Sequence, residues 1–381
     1  MTNKAQQVYQ PDVYTLASAV TAVAAVYVYF LIFGQFGFLK AVQAALGENV
    51  GIIRPIMALM GLAGVTGSVL AARLFSEPSC RRLLATGLGL CAAAAAGSLI
   101  ARSSGGFYAV AGLTGLGAGL TTVTLAGMLR RAVGDEHLGV IIGLGTGLAY
   151  GFCNLPGVFD ASPTVQAQLA LLATAAGLAG GSRLTPRIPL AQPGGREYSK
   201  KCTAAWVVIL AALVCLDSAA FYIIQHTPAL KTIIWSGAGQ LALNASMHLA
   251  AAVLAGWALD RRWLGRTVGL GAVSLWLACW LIYERQQAFA WAGMLYVTGV
   301  SFYSTMLVYY PARSGRPGLA ALVYAVAGWG GSGLGIALAE GRQDLPGRLL
   351  LVVGAVIVLG LIARRAVQPP ARRPRLVLKD G

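Results

Sequence analysis

Asp217 is the residue best placed to bind a proton or a cation, because it is the one carboxylate well inside an apolar stretch of the sequence. The other Asp and Glu residues fall in the tails, the connecting segments or the ends of the apolar stretches. An ionisable side chain near the centre of a bilayer is costly, so it marks a functional site by default. Burial favours the neutral form of a carboxylate, which suits reversible proton binding. Two other interpretations stay open: an ionised Asp217 that pairs with a cationic substrate, and a carboxylate that serves only helix packing.

Other polar side chains occur at helical spacing inside apolar stretches. Gln225 follows Asp217 by eight residues and lies on broadly the same face of a helix. Gln240, Asn244 and His248 are four residues apart and form one stripe along the next stretch. A polar stripe exposed to lipid costs roughly several kcal/mol, so these side chains face either a cavity or a neighbouring helix. His248 is also a candidate to exchange protons with Asp217 or to bind substrate.

Hydroxyl and amide groups also occur in other apolar stretches, at Tyr27, Asn154, Tyr296 and Tyr303. Tyr296 and Tyr303 are one heptad apart, and Asn154 precedes Pro156, which is predicted to kink the helix. Rings with a polar tip suit either a cavity for a small amphiphilic ligand or the packing of helices. The predicted substrate-binding residues are Tyr27, Asn154, Asp217, Gln225, Gln240, Asn244, His248, Tyr296 and Tyr303.

Twelve apolar stretches must position these side chains. The chain is 57% hydrophobic and 11% charged, with a mean hydropathy of +0.69, which excludes an ordinary soluble domain. A helix that crosses a bilayer needs roughly 20 apolar residues. The stretches that meet this requirement are residues 13–37, 53–72, 83–101, 106–129, 138–159, 163–182, 203–226, 232–258, 267–283, 287–310, 317–339 and 347–363.

The positive charge is sorted along the chain. Most of the 29 Lys and Arg residues fall in alternate connections between the apolar stretches and in the tails. This asymmetry follows the positive-inside rule, so we predict an inner-membrane protein with both termini in the cytoplasm. The placement of the charge excludes a nucleic-acid-binding protein, despite a net charge of +16. The predicted partners are a small-molecule substrate and membrane lipids, and the protein is expected to be a monomer.

A basic connection rich in Pro and Gly divides the chain into two halves with six apolar stretches each. We predict an N-terminal six-helix bundle over residues 1–183, followed by a cytoplasmic linker over residues 184–202. A C-terminal six-helix bundle over residues 203–366 and a basic cytoplasmic tail over residues 367–381 complete the chain.

The loop after the eighth stretch carries a motif. Its sequence from residue 256 to 266 is Gly-Trp-Ala-Leu-Asp-Arg-Arg-Trp-Leu-Gly-Arg, which resembles the cytoplasmic loop signature of the major facilitator superfamily. The residues that carry the match are Asp260, Arg261, Gly265 and Arg266.

The corresponding loop of the first half, residues 72–82, is an eroded copy of this motif. It keeps Arg81 and Arg82, but Ser76 stands where the signature usually has Asp. Two such loops, twelve stretches and a central basic connection extend the resemblance over about residues 10–366.

The resemblance implies an all-α integral membrane fold with about twelve transmembrane helices in two pseudo-symmetric six-helix bundles. It also implies transport by alternating access, with a central cavity lined by helices one, four, seven and ten. Because Asp217 lies in the seventh stretch, the resemblance implies that its side chain faces this cavity. A gate at the cytoplasmic side would follow, in which the motif carboxylate caps a neighbouring helix and pairs with a basic residue. The gating residues implied in this way are Arg81, Arg82, Asp260, Arg261 and Arg266.

Two features depart from the superfamily pattern. Ala111 or Gly112 occupies the place where proton-coupled members often have an Arg. Gly143, Gly147 and Gly151 only loosely resemble the antiporter signature, and small residues at this spacing predict close helix packing.

The sequence lacks the motifs of an enzyme, and its six cysteines form no CxxC pair, so we expect neither catalysis nor a metal site nor a cofactor. The favoured function is secondary active transport of a small solute by proton symport through Asp217. One alternative is a membrane assembly factor or receptor on the same scaffold. A copper importer is a weaker alternative, because Met247 beside His248 provides only part of a soft-metal site.

Overall fold

The computed structural model describes residues 11–186, 199–284, 289–342 and 346–367. Within these ranges the chain is almost wholly helical and contains no β-strand. The predictions for most of the linker, for the basic tail after residue 367 and for the basic residues Lys4, Arg187, Arg196 and Arg285 lie outside the described residues.

Twelve long helical segments make up the described part of the chain. In chain order they are α1 (Val13–Leu46), α2 (Val50–Leu74), α3 (Cys80–Ile100), α4 (Ser104–Val133), α5 (Leu138–Cys153), α6 (Pro163–Arg183), α7 (Lys200–His226), α8 (Ala238–Asp260), α9 (Leu264–Glu284), α10 (Phe289–Ser314), α11 (Pro317–Ala339) and α12 (Gly347–Val367). Two short helices, Pro156–Phe159 and Pro228–Trp235, follow α5 and α7.

Most of the segments have the length and composition of membrane spans. Eight of them are long and apolar enough to cross a membrane, and α5 and most of α12 are shorter apolar helices. The structure also changes three predicted boundaries. α1 continues to Leu46, the stretch 138–159 breaks after Cys153, and the stretch 232–258 divides between Trp235 and Ala238. Pro156 explains the second break, because proline cannot continue a preceding helix.

Polar side chains fix where several helices begin. Each accepts a hydrogen bond from a backbone N–H of the first turn, which otherwise lacks a partner. The capping residues are Asp12 for α1, Asn49 for α2, Ser103 for α4, Ser162 for α6 and Ser199 for α7. α5 has no such cap of its own, since His137 makes no capping hydrogen bond.

The first six helices pack mainly on one another, and so do the last six. α4 lies against α2 and α3, while α7 lies against α11 and α12. The two halves meet chiefly where α5 packs on α8 and where α2 packs on α11. The residue boundaries of the two bundles remain predictions.

Glycines bring α5 and α8 into backbone contact. A Cβ atom added to Gly139 would lie 2.3 Å from the carbonyl oxygen of Gly256, and one added to Gly143 would lie 2.3 Å from a carbonyl oxygen of α8. The clearance rises to 3.1 Å at Gly147 and to 3.4 Å at Gly151. The two helices therefore touch at one end and diverge toward the other.

The end where they touch is the basic side, which we define by the loops 75–79, 134–137 and 261–263. The ion pair of Glu77 with Arg131 and the hydrogen bond of Gly139 with Asp260, which adjoin these loops, place them at one end of the molecule. The other end is called the opposite side.

Two helices contain an unusual internal segment. Residues Phe30–Gly37 of α1 and Tyr324–Gly331 of α11 form π-helix, in which the hydrogen bonds span one residue more than in α-helix. The rings of Phe30 and Trp329 meet edge-to-face at 6.1 Å, so the two segments face each other across the halves. Such segments are frequent at functional sites.

The contact between α5 and α8 predicts a steric effect for Gly256→Ala. The new Cβ would lie 2.2 Å from the carbonyl oxygen of Gly139, which forces the backbones apart. Overpacking of this kind costs about 1–3 kcal/mol, so the melting temperature in detergent should fall. The control is Gly89→Ala in α3, whose Cβ meets nothing within 4 Å. Equal melting temperatures for the two variants would contradict the contact.

Candidate functional site

Asp217 lies in the middle of α7, where two tyrosines of α10 bind its carboxylate. The hydroxyl of Tyr296 donates to Oδ1 at 2.5 Å, and the hydroxyl of Tyr303 donates to Oδ2. The two tyrosines share one face of α10 because they are a heptad apart. Both oxygens of the carboxylate are thus held from the same helix.

A cavity of about 150 Å³ adjoins this carboxylate and lies between the two halves. Its wall comes from α1, α2, α5, α7, α8, α10 and α11, and from the two short helices. α5 contributes only its last residues and the turn that follows, so the cavity occupies the part of the molecule toward the opposite side. The polar residues in the wall are Gln35, Asn154, Asp217, Ser218, His248 and Ser332. The aromatic residues in the wall are Phe30, Phe36, Tyr150, Phe159, Phe221, Trp235, Tyr296 and Trp329.

His248 is the member of the α8 stripe that reaches the cavity. Its Nδ1 lies 2.8 Å from the hydroxyl oxygen of Ser301 on α10, and the residue is only 4% exposed. Its ring stacks on Tyr150 of α5, with ring centroids 4.7 Å apart. His248 therefore joins the two halves at the cavity wall.

The other two members of the stripe hold the short helix after α7. The side chain of Asn244 is fully buried and donates to the carbonyl oxygen of Ile234 at 2.8 Å. Gln240 in turn donates to the side-chain oxygen of Asn244 at 2.9 Å. Neither residue lines the cavity, so in this structure they act between helices.

Of three further predicted site residues, one lines the cavity and two lie outside its wall. Tyr27 interacts with Tyr324 of α11 and is outside the cavity wall. Gln225 is also outside the wall, and its side-chain nitrogen is buried without a hydrogen-bond partner among the described residues. Asn154 does line the cavity. Its Nδ2 donates to the carbonyl oxygen of Tyr150 at 2.9 Å, and its Oδ1 is buried with no partner in the described part of the chain.

On the basic side, Asp260 joins the halves. This residue ends α8, and its two oxygens accept hydrogen bonds from the backbone N–H groups of Gly139 at 2.6 Å and Val140 at 2.8 Å. Both N–H groups belong to the first turn of α5, which has no cap of its own. The carboxylate gains from the free donors and from the helix dipole.

Contacts across the halves also occur on the opposite side. The guanidinium of Arg54 on α2 binds both carboxylate oxygens of Glu340, the residue after α11, with Nε 3.0 Å from each. The rings of Phe36 on α1 and Phe221 on α7 meet edge-to-face at 5.0 Å. The cavity thus lies between contacts on both sides of the molecule.

No family model matches the chain, and no curated protein matches it. Solved structures match the chain over most of its length. The human organic anion transporter MFSD10 (TETRAN) is 14% identical, with a TM-score of 0.59 over 93% of this chain and 99% of that one. A bacterial homologue of the iron transporter ferroportin, solved in an outward-facing state, is 14% identical, with a TM-score of 0.62 over 93% of this chain and 98% of that one. The proton:xylose symporter XylE of the major facilitator superfamily is 13% identical, with a TM-score of 0.62 over 93% and 96%.

The chain has the fold of the major facilitator superfamily. This result confirms the predicted all-helical membrane fold, and the protein is an integral multi-pass membrane protein. The identities are too low to show a shared activity.

The other residues of the superfamily motif lie within their own half. The guanidinium of Arg261 lies 3.6 Å from the ring centroid of Trp257, and that of Arg266 lies 5.3 Å from the ring centroid of Trp263. Arg81 donates through Nε to the carbonyl oxygen of Leu184 at 2.9 Å, which ties α3 to the end of α6.

The first-half loop has no counterpart of the Asp260 cap. Arg82 is exposed. Ser76 makes a 2.6 Å hydrogen bond with Ser79 in the same loop, and Glu77 pairs with Arg131 of α4. These contacts stay inside the first half, so the link between the halves comes from the second copy of the loop motif, at Asp260.

The sequence interpretation missed the aromatic walls of the cavity. Phe221 lies one helical turn after Asp217, and Trp235 packs against both Phe221 and Tyr296. Phe221 is four residues after Asp217, and this spacing indicated that both side chains lie on one face of the helix. The spacing alone could not identify a cavity wall, because aromatic side chains are equally common on lipid-facing surfaces.

The described residues show no cluster of three His, Cys, Asp or Glu side chains that could hold a metal ion. All six cysteines are buried. Met247 is not in the cavity wall, although Met57 and Met60 are.

Replacing Asn244 with Ala should destabilise the fold. The change leaves the buried carbonyl oxygen of Ile234 without a donor, which costs about 1–3 kcal/mol. Thermal unfolding in detergent would measure the loss. Ser246→Ala on the same helix is the control, because the exposed Ser246 bonds only to the carbonyl of Ala242 in its own helix. A variant as stable as wild type would show that Asn244 is dispensable for packing.

Replacing Asp260 with Ala should loosen the basic side. The first turn of α5 would lose both acceptors, so the half-buried position 140 would become more accessible. The measurement is the rate at which a polar maleimide labels Val140→Cys, in a background without the six native cysteines. Asp135→Ala is the control, because Asp135 pairs with Arg130 at 2.5 Å inside the first half. Unchanged labelling would count against the cap as a link between the halves.

Proposed function

We propose that this protein is a secondary active transporter, which moves a small solute by alternating access and couples this movement to protons through Asp217. The observation that carries the proposal is a mid-helix carboxylate that faces a cavity between the two halves of a major facilitator fold. In folds built from two repeats, solute and coupling-ion sites lie at the interface of the repeats near the bilayer midplane.

The hydrogen bonds of Asp217 offer a coupling mechanism. An ionised carboxylate only accepts hydrogen bonds, and it accepts one from each of Tyr296 and Tyr303. Protonation turns one oxygen into a donor, so at least one tyrosine must change its partner. Because these bonds join α7 to α10, proton binding at Asp217 would alter the packing of two helices that line the cavity.

The contacts between the halves support alternating access. Asp260 and the glycine contact between α5 and α8 close the basic side, while Arg54–Glu340 and Phe36–Phe221 join the halves on the opposite side. Opening one set of contacts while the other stays closed would expose the cavity to one side at a time.

The proposed setting is an inner membrane with both termini in the cytoplasm, on the sorting of the basic residues. The basic side would then be cytoplasmic.

Asp217→Asn should abolish uphill accumulation, because an amide cannot bind and release a proton. Exchange of labelled for unlabelled solute should continue at saturating solute concentrations, since exchange needs no proton cycle. Solutes would be identified by a thermal-shift screen of metabolites, drugs and metal ions against wild type. They would then be tested in proteoliposomes with an imposed pH gradient.

Asp160→Asn is the matched control, because Asp160 is exposed and lies outside the cavity wall. It should accumulate solute as wild type does. Uphill transport by Asp217→Asn at the wild-type level would refute the coupling role.

A further inference from the structure

We infer that the solute is a small organic cation, with its charge next to Asp217 and an apolar body against aromatic rings. The inference rests on the proposed function and adds a substrate class to it. Its basis is the composition and geometry of the cavity wall.

The charge of the wall favours a cation. Asp217 is the only acidic residue among the described residues that line the cavity, and the lining contains no Lys or Arg. None of the ion pairs between described residues involves Asp217. Among the described residues, an ionised Asp217 therefore has no fixed countercharge. In a site shielded from water, an anionic solute would be repelled and a cationic solute would be attracted.

The hydrogen bonds of Asp217 leave room for such a ligand. Tyr296 and Tyr303 both lie on α10 and each occupies one carboxylate oxygen. A carboxylate offers about four lone-pair sites, so two donors leave part of its acceptor capacity free. Both donors are neutral hydroxyl groups, so they orient the carboxylate without cancelling its charge.

The walls next to Asp217 are aromatic. Phe221 follows it by one turn of α7, its ring centroid is 5.3 Å from that of Trp235, and Trp235 lies 5.9 Å from Tyr296. Trp329 lines the cavity from α11. Aromatic faces carry negative partial charge and attract organic cations, most strongly where water is excluded. A carboxylate beside several aromatic rings is a combination of groups that suits a substituted ammonium ion.

The size of the cavity limits the body of the ligand. An engineered apolar cavity of about 150 Å³ in another protein holds benzene. The cavity described here has about the same volume, which fits a cation with one ring or an alkyl group of similar bulk.

Proton and cation would compete, because each binds the same negative charge. Coupling would then be an exchange of proton for solute, in place of the symport expected from the sequence. The titratable groups that face or neighbour Asp217 from the surrounding helices are Tyr296 and Tyr303 of α10, Tyr150 of α5, His248 of α8 and Cys279 of α9.

The test compares two water-soluble probes of similar size and opposite charge, phenyltrimethylammonium and toluenesulfonate. Titration calorimetry on the full-length purified protein in alkaline buffer gives the affinity for each. We expect wild type to bind the ammonium at least about tenfold more tightly than the sulfonate. Asp217→Asn should lose this preference, and Asp217→Glu should keep it because the charge remains. Trp235→Leu should weaken ammonium binding several-fold.

Acidification supplies a second readout. The affinity of wild type for the ammonium should fall as the pH falls, because the proton takes its place, and Asp217→Asn should show no such dependence. Asp160→Asn is the control for a lost carboxylate and should behave as wild type. Equal affinity for the two probes, or unchanged ammonium binding by Asp217→Asn, would overturn the inference. If Asp217→Asn does not fold, the Asp217→Glu and Trp235→Leu results decide.

The two proposals fail in different ways. An anionic or uncharged solute that is accumulated only when Asp217 is present would reject the cation and leave the transport function standing. Charge-selective binding of phenyltrimethylammonium at Asp217, with neither uphill transport nor exchange of this probe in proteoliposomes, would support the cation site and reject transport.

Discussion

The close approach of α5 and α8 is the constraint on which the rest of the structure depends. Where Gly139 meets Gly256, the two backbones touch, and no side chain larger than hydrogen fits between them. This contact brings the free N–H groups of α5 within reach of Asp260. It also sets the angle at which the helices separate. The space opened by that separation is the cavity that His248, Asn154 and the aromatic rings surround.

Much of the fold could be predicted because lipid imposes strict rules on length and polarity. Twelve apolar stretches correspond to twelve helical segments in the described residues, and the motif at Asp260 indicated the fold of the superfamily. The errors fall at helix ends. α1 extends past the predicted end because a helix can continue beyond the apolar core of a bilayer. The stretch 138–159 was predicted to be one kinked span, but the helix ends at Cys153 because Pro156 cannot continue it.

The candidate site was only partly predictable, for a different reason. Helical spacing shows which side chains share a face, and it placed Tyr296 and Tyr303 together; both do contact Asp217. Spacing does not show which neighbour occupies that face. Asn244 and His248 share one stripe, yet Asn244 binds the carbonyl of Ile234 while His248 reaches the cavity. The aromatic walls were not predicted, because the residue types that line a cavity and those that face lipid are the same.

The two sides of the molecule are held together by different physical forces, and they should respond differently to the medium. The contact on the basic side combines steric fit with hydrogen bonds from backbone to a half-buried carboxylate, and salt screens these weakly. On the opposite side, the Arg54 side chain is 66% exposed where it pairs with Glu340. Exposed ion pairs weaken as ionic strength rises. The electrolyte bathing the opposite side therefore acts directly on one of the contacts that join the halves, whereas the electrolyte on the basic side has no comparable point of action at the Asp260 cap.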